Sequence, residues 1–341
     1  MKKNTEKLEY ISALKNCTMI LVVLYHCLLV FTNNWFTPVN KEVQINWCSK
    51  LAEIINLFIM PVFIFCSGYL FYYLRYKKGK YRTPSKDIKK RFNRLIVPYI
   101  FTSILWVIPI SYIFYKWDII KIIDKFVLGR QPSQLWFLLA LFWIYIFFYY
   151  MSDRLKTNNI TLCIMILGTV ALNYFLNKIQ FNFWQINLAV QYSLYFYFGG
   201  YVLKNERKFK TEMKSIIYII IFILSLTCLG YIISKHNNEI AKIANIYLKV
   251  LIQMSIVYML YIIFKVKKES KILNYINKIN EYSFGIYLFH QQIIYILTFY
   301  MFGRLNVALE IFLTFAISII LAYIIQKILK KNKITKFIFG I

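Results

Sequence analysis

The 341 residues are 60% hydrophobic and 16% charged, with a mean hydropathy of +0.54. A soluble domain is closer to half apolar and a quarter charged, so the composition excludes an ordinary soluble protein and indicates an integral membrane protein. The formal net charge is +28, but the distribution of the basic residues argues against nucleic acid as the partner.

Ten apolar stretches are each candidates to cross a bilayer, which takes about 20 residues in a helix. In chain order they are Leu8–Phe31, Leu51–Leu74, Leu95–Tyr115, Leu135–Met151, Ile160–Asn177, Ile186–Leu203, Ile216–Ser234, Ala244–Phe264, Ser283–Phe302 and Val307–Ile328. No soluble domain fits between them, so residues 1–341 are expected to form one polytopic unit. We therefore predict an all-α integral membrane protein, a bundle of about ten transmembrane helices.

Basic residues gather in alternate connections between these spans. The densest group runs from Arg75 to Arg94, and others lie at both termini. By the positive-inside rule, both termini are predicted to be cytoplasmic, in a multi-pass protein of the cell membrane. Most of the basic side chains are then expected to meet anionic lipid headgroups, which makes membrane lipid a partner and excludes nucleic acid.

The six cysteines lie mostly within apolar runs, and none forms a Cys-x-x-Cys pair. They are expected to be small packing residues, and no metal site is predicted.

The first span contains two ionisable residues, Lys15 and His26. Ionisable groups inside a membrane are costly and usually functional. Eleven residues of helix place the two on one face, about 16 Å apart along the axis. Neutral imidazole suits general acid–base catalysis, so His26 is a candidate base in the outer half of the membrane. Glu53 and Glu310, at similar predicted depth, are candidates to orient its ring.

The connection before the third span ends in a cluster of cations. Arg91 and Arg94 are three residues apart and share a helix face, with Lys90 beside them. Arginine forks match phosphate oxygens, so a cytoplasmic metabolite with several phosphates, such as coenzyme A, would fit. Binding of lipid headgroups explains the same residues equally well.

The ninth span carries three consecutive polar residues, His290, Gln291 and Gln292. They favour a polar cavity over a purely packing helix. Counting helical rise from the cytoplasmic surface predicts that His290 lies near the depth of Lys15 and well short of His26.

Four motifs lie in order along nearly the whole chain, beginning with the Lys15 to His26 spacing. The others are FCSGYL at residues 65–70, KRFNRLIVPY at residues 90–99 and SFGIYLFH at residues 283–290, with LWFL at residues 135–138 as a further match. Together they resemble the acyltransferase 3 family of membrane O-acyltransferases. The chain departs from the usual pattern at Ser12, where the family often has Asp, at Lys15, where Arg is commoner, and at Gln292, where Pro is frequent.

The resemblance implies transfer of an acyl group, foremost acetyl, from a cytoplasmic acyl-CoA to a sugar hydroxyl of a cell-surface or exported polysaccharide or glycolipid. Acyl-CoA would be a co-substrate, and no bound cofactor is expected. His26 and Lys15 would be the catalytic residues. The expected binding residues are Arg91, Arg94, Lys90, Ser67, Trp136, His290, Glu310 and Glu53.

Two other functions also fit a polar ten-helix bundle. One is a non-catalytic exporter of polysaccharide or lipid-linked sugar, because a permeation path also needs polar groups inside the membrane. The other is a different class of His-dependent membrane acyltransferase, in which His290 is the catalytic group.

Overall fold

The computed structural model describes residues 8–33, 43–179, 182–206, 214–236, 238–267, 271–278 and 281–341. Across these ranges the chain is helical, and the only β-type pairing is an isolated bridge between Thr32 and Gln44. The prediction of an all-α protein is therefore confirmed.

Fourteen helices follow one another in the described ranges. They are α1 (Glu9–Leu29), α2 (Asn46–Tyr72), α3 (Pro84–Thr102), α4 (Ile108–Tyr115), α5 (Ile119–Ile122), α6 (Trp136–Met151), α7 (Asn159–Ile179), α8 (Ile186–Lys204), α9 (Lys214–Ser234), α10 (Glu239–Val266), α11 (Lys271–Lys278), α12 (Ser283–Met301), α13 (Val307–Leu329) and α14 (Lys333–Ile338). A wide π-helical turn at Ser103–Val107 joins α3 to α4 without a break.

Eight of the ten predicted spans are long and apolar enough, as helices of the described chain, to cross a membrane. The other two are α8 and α12, each 19 residues long. Both lie inside the bundle and carry polar residues or glycines, which lowers their mean hydropathy. The third predicted span began too late, because its helix already starts at Pro84 and its first turns are basic.

Helix α1 occupies the centre of the bundle, in contact with α2, α10, α11, α12 and α13. By contrast, almost all of α9 faces outward. A central helix can bring its polar side chains to several neighbours at once, which matters for Lys15 and His26.

Helices α2 and α8 approach each other so closely that glycine is required at the contact. A Cβ atom added to Gly68 would lie 2.0 Å from the carbonyl oxygen of Phe196, and one added to Gly199 would lie 2.4 Å from that of Phe65. Small residues at such contacts allow helix backbones to pack tightly in membranes. Gly68 belongs to the FCSGYL segment, so part of that motif serves packing.

Three ion pairs join helix ends at one end of the bundle. Arg75 pairs with Asp153 at 2.5 Å, Lys265 with Glu206 at 2.5 Å and Lys330 with Glu281 at 3.0 Å. These pairs bring the ends of α2, α6, α8, α10 and α13 and the start of α12 to one side. We call this side, which also holds Arg91 and Lys336, the basic end; its position in the cytoplasm remains a prediction.

Candidate active site

A cavity of about 590 Å³ enters the bundle from the basic end. Small-molecule sites typically measure about 300–1,000 Å³, so this space can hold a metabolite. Exposed side chains such as Arg94 and Lys336 stand at its mouth. Its deeper wall is apolar and is formed mainly by Met19, Val22, Met60, Phe63, Phe137 and Leu138.

The cavity is strongly electropositive. Five cationic side chains line it: Lys15, Arg91, Arg94, Lys330 and Lys336. Among the residues that the structure describes, the single acidic side chain in its wall is Glu281, which already pairs with Lys330. Opposite charges attract each other more strongly in a partly dehydrated cavity than in water. The excess positive charge of this cavity therefore favours an anionic ligand.

Arg91 is held in place by tyrosines. Its guanidinium donates to the hydroxyl of Tyr81 at 2.8 Å and to that of Tyr149 at 3.4 Å, and lies 4.0 Å from the ring centre of Tyr145. Cation–π contact and neutral acceptors position an arginine without neutralising it. The fork therefore keeps its full charge for a ligand.

The three cations predicted to act together separate in the structure. Arg91 and Arg94 both line the cavity, as expected from their shared face. Lys90 instead lies in a shallow groove between α3 and α14 and pairs with Asp87 at 3.5 Å. The helical spacing explains this difference, since Lys90 points about 100° away from Arg91.

Lys15 lies on the face of α1 that lines the cavity. Ser12, Lys15, Met19 and Val22 form this stripe, with the spacing of three and four residues that one helix face requires. Within the part of the chain that the structure describes, no carboxylate lies within ion-pair distance of Lys15. His26 continues the stripe one turn beyond Val22, so the predicted shared face is confirmed.

His26 and His290 meet one helical turn beyond Val22, the last residue of α1 that lines the cavity. Nδ1 of His26 lies 2.8 Å from the carbonyl oxygen of Val22 and 3.2 Å from Nε2 of His290. Nδ1 of His290 lies 2.9 Å from the carbonyl oxygens of both Ile286 and Tyr287. His290 is fully buried, whereas His26 is partly exposed.

The predicted depth of His290 was therefore wrong. The expected depth would hold only if α12, like α1, started at the membrane surface. In the structure the side chain of Asn16 on α1 donates to the carbonyl of Ile276 on α11, seven residues before α12 begins. Helix α11 thus occupies the level expected for the start of α12, which begins deeper and carries His290 to the level of His26.

The two carboxylates predicted as candidates to orient His26 both lie outside the cavity lining. Glu53 is exposed near the start of α2. Glu310 is buried and accepts a hydrogen bond at 3.1 Å from the backbone N–H of Gly303, which fixes the turn between α12 and α13. Neither side chain lines the cavity. Within the described part of the chain, the side chain at hydrogen-bonding distance from a ring nitrogen of His26 is that of His290.

Ser67 and Trp136 differ in their relation to the cavity. Ser67 lines it and donates its hydroxyl to the carbonyl of Phe63 at 3.0 Å. Trp136 stacks on Tyr192 with ring centres 5.8 Å apart and does not line the cavity. Its neighbours Phe137 and Leu138 do, so the LWFL segment contributes through its last residues.

Several lining residues escaped sequence reasoning. Tyr81 and Tyr145 are two of 29 tyrosines, and nothing in their local pattern separates them from packing residues. Tyr287 lies within the SFGIYLFH motif but was not singled out as a lining residue. Lys330 and Lys336 were attributed to topology because they lie in the basic tail. The one signal in the sequence that could have indicated a lining tyrosine was the closeness of Tyr81 to Arg91, which are ten residues apart.

Comparison with known proteins identifies the family. A search of curated proteins and a search of solved structures each found no match. The family model Acyl_transf_3, described as an acyltransferase domain, matches residues 8–327, nearly the whole chain. With eight apolar helices, this makes the protein a multi-pass membrane protein. The chain belongs to the acyltransferase 3 family of membrane acyltransferases.

Proposed function

We propose that the protein is a membrane O-acyltransferase of the cell membrane that transfers an acetyl group from cytoplasmic acetyl-CoA to a sugar hydroxyl of a cell-surface or exported polysaccharide. The observation that supports this most directly is the course of the cavity. It leads from Arg91 and Arg94 at the basic end to Val22, one helical turn before His26 on α1.

The donor fits this cavity in one direction. Its phosphates would contact Arg91 and Arg94, neither of which pairs with a carboxylate in the described ranges. Its long, uncharged arm would lie along the apolar wall, past Met19 and Val22. Lys15 lies between these two regions and would hold an anionic or carbonyl oxygen of the donor. The thioester would then reach the level of His26.

The reaction requires one proton to move and one acyl group to change partners. Nε2 of His26 takes the proton of the acceptor hydroxyl while the hydroxyl oxygen attacks the thioester carbon. The C–S bond then breaks, and the proton is returned to the departing thiolate, giving the ester and free coenzyme A. His26 ends in its starting state.

The test of donor binding uses coenzyme A itself as the probe. In the protein reconstituted into lipid vesicles, the double substitution Arg91→Ala with Arg94→Ala should weaken coenzyme A binding at least about tenfold, since each charge-assisted hydrogen bond contributes about 1.5–3 kcal/mol. Lys86→Ala with Lys89→Ala is the matched control. Both lysines are exposed on the same helix and line neither the cavity nor the groove.

Unchanged coenzyme A binding in the arginine variant would contradict the proposed donor site. If coenzyme A binding weakens equally in both variants, the loss comes from the lower net positive charge at the membrane surface and not from a specific site at Arg91 and Arg94. An exporter without catalysis would release no thiol from acetyl-CoA when acceptor polysaccharide is added.

A further inference from the structure

We infer that His290 is a positioning residue that fixes the ring orientation and tautomer of His26, so that Nε2 of His26 is the basic nitrogen. The inference rests on the proposed function for the role of His26 in catalysis. The pairing of the two rings is inferred from hydrogen-bond geometry alone.

The first step is the protonation of His290. Its Nδ1 lies 2.9 Å from two carbonyl oxygens, those of Ile286 and Tyr287. Carbonyl oxygens only accept hydrogen bonds, so Nδ1 must carry the hydrogen. The side chain is fully buried among uncharged partners, which favours neutral imidazole because burying an unpaired charge is costly. Neutral imidazole has one N–H, so Nε2 of His290 is an acceptor.

In the second step, because Nε2 of His290 is an acceptor, it determines which ring nitrogen of His26 carries the hydrogen. Its Nδ1 lies between two acceptors, the Val22 carbonyl at 2.8 Å and Nε2 of His290 at 3.2 Å. Nδ1 of His26 must therefore be the donor, and Nε2 holds the lone pair. The Val22 carbonyl belongs to the same helix, whereas His290 belongs to α12, so the contact with His290 fixes the ring from outside its own helix.

The third step concerns the charged state of His26. When Nε2 accepts a proton from the hydroxyl, the ring becomes imidazolium, and its Nδ1–H bond to His290 becomes charge-assisted. Such bonds are roughly twice as strong as neutral ones. The contact therefore strengthens as the proton is transferred, which is the requirement for lowering the barrier rather than only binding substrate. A neutral imidazole here takes the place that a carboxylate occupies in many base–orienter pairs.

The test reads the tautomers directly. The chain has only three histidines, so ¹⁵N-histidine labelling gives three pairs of ring-nitrogen signals, one pair for each histidine. The substitution His236→Asn removes the pair from the histidine in an exposed loop. Solid-state NMR in lipid bilayers without substrate should show protonated Nδ1 and unprotonated Nε2 for both His26 and His290. In His290→Phe the Val22 carbonyl is the one remaining acceptor of these two for Nδ1, so the His26 signals should shift part of the way towards those of a mixture of tautomers. In His290→Gln, an amide oxygen can accept and the amide N–H₂ can donate, so the change should be smaller.

Kinetics provide the second measurement. His290→Phe should lower kcat for acetyl transfer about tenfold or more and leave the donor KM within about twofold, because the contact matters only after the donor is bound. His290→Gln should retain more of the activity. Thr298→Val is the control, because Thr298 is buried on the same helix and its described hydrogen bond stays within that helix, to the Ile294 carbonyl at 2.8 Å. It should change neither the His26 spectrum nor kcat.

A folded His290→Phe protein with unchanged His26 signals and unchanged kcat would overturn the inference and leave His290 as a packing residue. Because the spectra are recorded without substrate, they also separate this inference from the proposed function. If the spectra change as expected while His26→Gln retains full turnover, the pairing is confirmed and the catalytic role of His26 is refuted.

Discussion

At the scale of single residues, the proposed site separates a binding cation from a base. Lys15 lies on the cavity wall and His26 lies beyond its apolar end, eleven residues further along α1. At about 1.5 Å of rise per residue, the two cannot touch the same reacting atom. Lys15 is therefore expected to act on the donor, and His26 on the hydroxyl that attacks it.

This division gives a prediction for Lys15. Lys15→Met keeps the length and apolar stem of the side chain but removes its charge, and it should raise the donor KM and the dissociation constant of coenzyme A about tenfold. Lys15→Arg should keep much of the binding, since the charge remains although its geometry changes. Lys50→Met, at an exposed position on α2, serves as the control. Unchanged donor binding in a folded Lys15→Met protein would remove Lys15 from the donor site.

At the scale of helices, the helix face that a residue occupies could be predicted from the sequence, whereas its depth in the bundle could not. The period of the α-helix set the shared face of Lys15 and His26 and that of Arg91 and Arg94, because this depends only on local geometry. The depth of His290 depends on where α12 begins relative to α1. That level is set by packing of α11 against α1, through the Asn16 contact, and no pattern within α12 encodes it.

The close contact between α2 and α8 yields a prediction about stability. Gly68→Ala would place a methyl group against the backbone of Phe196, which cannot move aside as a side chain can. We expect the free energy of unfolding to fall by about 1–3 kcal/mol, the usual cost of overpacking, measured as thermal melting in detergent.

Gly168→Ala on α7 is the matched control for Gly68→Ala. A Cβ atom there would have no neighbour within 4 Å. Because alanine favours helix over glycine, this variant should melt at the same or a slightly higher temperature. A Gly68→Ala protein as stable as the Gly168→Ala protein would show that the two helices are not packed as described.

At the scale of the whole molecule, the composition and the apolar runs were sufficient to predict a helical membrane bundle. Eight spans meet the requirements of length and apolarity, and α8 and α12 fall short because they are interior helices that carry glycines or polar residues. Hydropathy measures exposure to lipid, so it detects inner, functional helices less well. The resemblance of the motifs predicted the family, and the family match confirmed it.

The orientation of the bundle is tested by labelling introduced cysteines with a membrane-impermeant maleimide. In a background where the exposed Cys163 and Cys228 are replaced by alanine, Arg304→Cys should react in intact cells. Lys80→Cys, in the basic connection between α2 and α3, should react only after the membrane is permeabilised. The opposite pattern would place the basic end outside and the donor cavity on the wrong side for cytoplasmic acetyl-CoA.

The central claim, that His26 is the catalytic base, is tested most directly by comparing His26→Gln with His236→Gln. The measurement is transfer of labelled acetyl from acetyl-CoA, by protein in lipid vesicles, to polysaccharide from cells in which this gene is deleted. General bases contribute about 10²–10⁴-fold, so His26→Gln should lose at least about a hundredfold in kcat, with coenzyme A binding and thermal melting near those of the unaltered protein. His236→Gln, changed in an exposed loop, should transfer normally. A folded His26→Gln protein that transfers acetyl at nearly the normal rate would contradict the account.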